Sequence, residues 1–178
     1  MNTIATRSLP RLLHADGPAA EIAAKAELYG WLVGDWEMDV VRHLPDGTTA
    51  TGHGSAHFGW VLQGRVMQDI WRIPGFRDPG ADDPAAALMH GTTLRIFDPK
   101  LDAWRIIYAD PVRHVYSRQI GRAAGKDIVQ EGVDEDGVQN RWRFTEITAD
   151  SFHWIGEVRD AEGGDWRRIV EFFARRVA

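Results

Sequence analysis

An aspartate stands on what reads as the aromatic face of a hairpin. In "HFGWVLQGRVMQDIW" (residues 57–71), two apolar arms fold about Gln63-Gly64. A two-residue turn there sets Leu62 opposite Arg65, Trp60 opposite Met67 and Phe58 opposite Asp69. One face then carries Phe58, Trp60, Met67, Asp69, Trp71 and Ile73, and the other His53, Ser55, His57, Gln68, Ile70 and Arg72. The first is the more apolar, so Asp69 is expected to point inward. An unpaired buried carboxylate has a raised pKa, which is one way to make a general acid or base near neutrality. An inward arginine or a backbone amide would instead make Asp69 architectural, and both readings stand.

A later hairpin offers a second constellation. With "TADS" as a four-residue loop, Ile147 opposes Phe152, Glu146 opposes His153, Phe144 opposes Ile155 and Trp142 opposes Glu157. With "AEGGD" closing the next hairpin, Glu157 faces Arg168. Trp142, Phe144, Glu146, His153, Glu157, Trp166 and Arg168 then share a face. A Glu146–His153 pair would orient and charge an imidazole for proton transfer. It would equally be a surface ion pair contributing under about 1 kcal/mol. The opposite face, with Trp154, Val158, Ile169 and Phe173, is also partly apolar, which points to a homodimer interface.

Other groupings carry less. His53 and His57 lie four apart on a strand, about 13 Å, too far to share one ion, and no third ligand is identifiable, so no metal is expected. Ser55, His57 and Asp69 can be written as a triad, but Ser55 lacks a nucleophile elbow. Tyr108, His114 and Tyr116 offer hydrogen bonds to a ligand or are ordinary strand residues. "GRAAGKD" lacks the spacing and the following Ser/Thr of a phosphate-binding loop.

These residues need elements to position them. The chain has 178 residues, 44% of them hydrophobic, with eight Trp and no Cys. That fits one domain with a sizeable core and excludes disulfides and thiolate chemistry. A net charge of −5 argues against a nucleic-acid partner. No stretch reaches the roughly 18 apolar residues of a spanning helix, and the N-terminus lacks a secretory pattern, so no membrane partner and a cytoplasmic location are expected. Residues 1–17 read as a flexible lead-in and 18–178 as the domain. "PAAEIAAKAELY" reads as a short helix, opened by Pro18 and closed by Gly30.

From Gly34 onward the pattern changes to about ten short strands separated by turns. An all-β fold is expected: a single up-and-down antiparallel β-barrel with a short N-terminal helix, closed because closure removes both sheet edges. A two-sheet sandwich is the competitor. The Pro/Gly/Asp loop "PGFRDPGADDPAAA" is a candidate lid or portal. One conflict stands: a tight Asp46-Gly47 turn puts Trp36, Met38 and Val40 on the face of His53, Ser55 and His57, against the hairpin assignment above, unless the turn is longer or a bulge intervenes.

"LYGWLVGDWEMDVV" sets Gly34 two residues before Trp36 at the opening of the first strand, and "WVLQGRVMQDIW", "LRIFDPKLDAW" and "DWRRIVEFFARR" follow in order. This set resembles the bacterial lipocalin-like domains of the calycin superfamily, distant relatives of nitrobindins and fatty-acid-binding proteins, over roughly residues 28–176. The resemblance implies a barrel around a small-molecule cavity, with the tryptophan plugging its closed end. Nitrobindins hold haem through a histidine near the C-terminus. "VEFFARRVA" has none and His153 is a distant substitute, so no cofactor is expected. The fatty-acid binders bind carboxylates with arginine and tyrosine near the end of the barrel; here Arg167 and Arg168 lie in the last strand without a tyrosine.

The expected function is therefore binding of a small, largely apolar or aromatic molecule by Trp36, Met38, Phe58, Trp60, Met67, Trp71, Tyr108, Trp142 and Arg168. One alternative is a cofactor-independent isomerase, lyase or cyclase using Asp69 or the Glu146–His153 pair. Another is a filled barrel serving as a structural or interaction module.

Overall fold

The structure, a computed structural model, describes residues 8–73, 76–77, 89–134, 136–159 and 163–177. Ten antiparallel strands form the barrel: β2 (Gly34–His43), β3 (Thr49–Val61), β4 (Val66–Ile73), β6 (Met89–Asp98), β7 (Ala103–Asp110), β8 (Val115–Ala124), β9 (Asp127–Val133), β10 (Gln139–Thr145), β11 (Ser151–Arg159) and β12 (Arg167–Arg176). Each pairs with its neighbour in sequence, and β12 pairs with β2 to close the ring. Two-residue strands β1 (His14–Ala15) and β5 (Phe76–Arg77) add to the rim of β3. Closure leaves no unpaired edge along the ring, the advantage of a barrel over a sandwich.

One end is stoppered. A 3-10 turn at Ala20–Ile22 runs into helix α2 (Ala23–Gly30), which buries Ala26 and Tyr29. Behind it, the Trp36 indole donates to the Leu32 carbonyl at 2.7 Å. The Arg176 guanidinium lies 4.2 Å over the Trp36 ring and donates to the carbonyls of Trp31, Val33 and Ala149. The first and last strands are thus tied at the closed end by one tryptophan and one arginine. Within the lead-in, residues Leu9–Leu13 form a short helix, α1, and β1 follows it.

Turn geometry settles the strand faces. Between β2 and β3 the chain closes through Pro45, Asp46 and Gly47, with the Leu44 amide donating to the Thr48 carbonyl and Gly47 at φ 84°. This loop is one residue longer than a tight Asp46-Gly47 turn, so Trp36, Met38 and Val40 oppose Ala56, Gly54 and Gly52. All six point inward, which removes the conflict; His53, Ser55 and His57 point outward. The β3–β4 hairpin has the expected register, with Phe58 opposite Asp69 and Trp60 opposite Met67.

The β10–β11 hairpin departs from expectation. Thr148 and Ser151 close the "TADS" loop as anticipated. Glu146, however, takes a left-handed backbone (φ 53°) as an extra, unpaired residue. Thr145, not Glu146, therefore opposes His153, and Trp142 opposes Gly156 rather than Glu157. A one-residue bulge sends every side chain beyond it to the other face. Glu157 does face Arg168, but a second irregularity follows at Gly156/Glu157.

Candidate functional site

The barrel interior divides in two. The closed half is solid: Trp36, Met38, Phe58, Trp60, Met67 and Trp71 are buried in the core together with Tyr29, Trp104 and Phe144. The other half holds a cavity of about 470 Å³. Of the residues singled out from sequence as ligand-binding, Tyr108 and Trp142 line it, whereas the six in the closed half do not. The sequence gives the direction a side chain points but not its height along the barrel axis. Most of the "PGFRDPGADDPAAA" portal candidate lies outside the described residues.

A stack of indoles runs from the core to the cavity, with Trp71 beneath and Trp154 and Trp142 in the lining. Trp71, Trp154 and Trp142 lie with ring centroids 4.4 and 4.3 Å apart and planes 22° and 27° from parallel. Gly156 makes room for the outermost ring, since a Cβ there would come within 2.6 Å of Trp142. A polar band adjoins the indoles on β8–β10. Gln119 on β8 and Asn140 on β10 both pair in register with Gly132 of β9. Over that missing side chain, Gln119 Nε2 donates to Asn140 Oδ1 at 2.9 Å and to Ser117 Oγ at 3.0 Å. Tyr108 donates to Asp110 at 3.2 Å. Burial, then the Asp110 charge, push its phenol well above the usual range, so it stays a neutral donor.

At the boundary between core and cavity lies the partner of Asp69. Arg95 is 0% exposed and Asp69 1%. Arg95 Nη1 donates to Asp69 Oδ2 at 2.5 Å, and the Thr93 amide donates to Oδ1 at 2.7 Å. The rings of Tyr29, Phe58 and Phe144 surround the guanidinium at 5.2–5.9 Å. Asp69 does point inward, yet both of its oxygens are engaged. Arg95 borders the cavity while its Nε and Nη2 find no hydrogen-bond partner among the described residues. The same holds for Trp154 Nε1 and Gln130 Oε1, whose side chains also line the cavity.

Apart from Tyr116, the remaining candidates lie outside the cavity. Glu146 is exposed, and His153 stacks on Phe173 at 4.3 Å, with Nε2 lying 2.8 Å from Glu171 Oε2. The Glu146–His153 pair inferred from strand register is thus not formed, because the bulge intervenes. Arg168 bonds Glu171 at 2.9 Å on the same outer face and is absent from the cavity lining, a correction to the inward placement. His53 and His57 take separate aspartates, Asp39 at 2.7 Å and Asp35 at 2.8 Å. His114 lies in the β7–β8 turn with φ 55°, whereas Tyr116, half exposed, lines the cavity at its rim.

Arg95 escaped sequence reasoning because its neighbours Leu94 and Ile96 gave the opposite parity its apolar signal. The available clue was the demand of an inward Asp69 for a cation on the next strand, where Asp69 pairs with Thr93.

Closure, strand order and the Trp36–Arg176 plug define a lipocalin-like, up-and-down β-barrel with one open end. No family model matches the sequence, and no curated protein is significantly similar to it. Solved structures do share the fold. An S-type phycobiliprotein lyase, CPES, of Guillardia theta superimposes with a TM-score of 0.59 at 10% identity, over 86% of this chain and 93% of that one. Rv2717c of M. tuberculosis gives 0.58 at 15% identity, over 90% and 99%. At such identities the likeness is one of fold alone.

Proposed function

We propose that the protein binds a small, largely apolar and aromatic molecule in the open half of its barrel. One observation carries this: a cavity of about 470 Å³ walled by stacked tryptophans, with a few polar groups converging on it. That size and lining match ligand pockets, which run to about 300–1,000 Å³ and are mostly apolar. Binding is favoured over acid/base turnover because Asp69 is neutralised by Arg95, and Glu146 and His153 lie outside the barrel. The net charge of −5 supports a small-molecule partner over nucleic acid.

The test is titration with N-phenyl-1-naphthylamine, an uncharged probe that fluoresces in apolar surroundings. Wild type is expected to give saturable binding with quenching of tryptophan emission. Ser117→Trp, which fills the cavity from β8, should abolish it. Absence of saturable binding by a folded wild type, or equal binding by Ser117→Trp, would overturn the proposal.

A further inference from the structure

We infer that the ligand is an aromatic carbonyl compound bearing one anionic group, with the neutral carbonyl oxygen held at the cavity floor by Arg95 and Trp154 and the anion at the rim by arginines. This rests on the binding reading above and names its ligand class.

The floor has a surplus of donors. Arg95 Nε and Nη2 and Trp154 Nε1 are buried without partners among the described residues; of the unpartnered groups able to accept, Gln130 Oε1 lines the cavity, and the Tyr29 hydroxyl, near Arg95, lies outside the lining. Buried polar groups are seldom left unpaired, so the complementary ligand group is an oxygen acceptor. Charge decides which kind. Asp69 already balances Arg95, so a ligand carboxylate at the same place would bury a net negative charge in a dry interior, which is costly. A carbonyl oxygen accepts the same hydrogen bonds without that charge.

The body of the ligand follows from the wall. Trp154 is covered by Trp71 and Trp142, and Trp142 ends the stack in the cavity lining, so a planar aromatic system against Trp142 continues it.

The rim has the opposite electrostatic character. Arg42, Arg113 and Arg167 line the open end, and none is within ion-pair distance of a carboxylate among the described residues. The acids nearby are committed to turns. Asp134 accepts from the amides of Asp136 and Val138. Asp110 accepts from Val112, Arg113 and the Tyr108 hydroxyl. Those bonds leave both aspartates charged, but Arg42, Arg113 and Arg167 outnumber Asp110 and Asp134 among the described residues, so the rim keeps a positive excess that attracts an anion, in a wetter setting where its desolvation is small.

Three matched probes test each part by calorimetry: 4-benzoylbenzoate, 4-benzylbenzoate, which lacks the ketone, and benzophenone, which lacks the carboxylate. 4-Benzoylbenzoate is expected to bind tightest. Removing the ketone should weaken binding about 10-fold or more, as for a hydrogen bond to a charged donor. Removing the carboxylate should weaken it and abolish its salt dependence. Trp154→Phe should weaken 4-benzoylbenzoate by a larger factor than 4-benzylbenzoate, because only the ketone loses a hydrogen bond as well as stacking area. Arg42→Gln/Arg113→Gln/Arg167→Gln should weaken both carboxylates while sparing benzophenone.

Equal affinity with and without the ketone overturns the floor assignment, and equal affinity with and without the carboxylate overturns the rim assignment. If none of the three binds although N-phenyl-1-naphthylamine does, the ligand class is wrong and the cavity reading stands. If the naphthylamine also fails, both fall together.

Discussion

Asp69 and Arg95 show how one buried pair can close a question of chemistry and open one of recognition. Each is expensive to bury alone, and together they are neutral. Removing one partner should leave an uncompensated charge, so Asp69→Asn is expected to cost about 3–5 kcal/mol. Asp69→Leu/Arg95→Met, which removes both charges and keeps the volume apolar, should recover most of that loss. Urea denaturation of wild type, the single and the double variant measures this, and a double variant no more stable than Asp69→Asn would contradict it. The sequence made Asp69 legible as an inward residue, because hairpin register alone fixes its face opposite Phe58. It concealed Arg95, whose strand places Leu94 and Ile96 outward and a cation inward. Apolar residues on an outer face are common on soluble proteins, so alternation on that strand points the wrong way.

At the scale of elements, the decisive features are single residues at turns. Strand order and closure follow from a run of short alternating segments, and those were legible. Parity was not, because it depends on loop length and on bulges. The extra residue of the Leu44–Thr48 loop has a signature, Asp46-Gly47 with glycine in the left-handed region. Glu146 has none: glutamate is not a residue expected at φ 53°. Holding a side chain there costs about 1–2 kcal/mol, which glycine avoids. Glu146→Gly is therefore expected to raise stability by about 1 kcal/mol, although glycine replaces a residue with lower chain entropy, and Glu146→Val should lower it. Thermal unfolding of the two variants distinguishes them, and a destabilised Glu146→Gly would argue against the bulge. The same bulge explains why a Glu–His pair drawn from an ideal hairpin does not exist.

For the molecule as a whole, the seam that closes the ring joins strands from opposite ends of the chain, and its outer face is held by charge. On β12 and β2, Glu171 receives hydrogen bonds from His43 at 2.8 Å and Arg168 at 2.9 Å, with His153 alongside. Asp39 receives one from Arg175 at 2.7 Å. Burial alone would raise the Glu171 carboxyl, but the His43 hydrogen bond and the Arg168 charge outweigh it and hold it below the usual range. The Arg175 hydrogen bond, foremost, does the same for Asp39. With its folded-state pKa depressed, each carboxylate takes up a proton more readily in the unfolded chain. The stabilisation is thus present above the unfolded value, about 4.3 for Glu, and drains away as pH falls through the lower folded values. Denaturant midpoints measured from pH 7 down to pH 3 should be flat near neutrality and decline steeply at acid pH. Glu171→Gln should be less stable at pH 7 and decline less steeply, so that its curve converges on wild type in acid. High salt should diminish the Asp39 contribution, which is exposed, more than that of the buried Glu171. Parallel curves for wild type and Glu171→Gln over the whole range would show that the seam does not draw its acid sensitivity from this carboxylate.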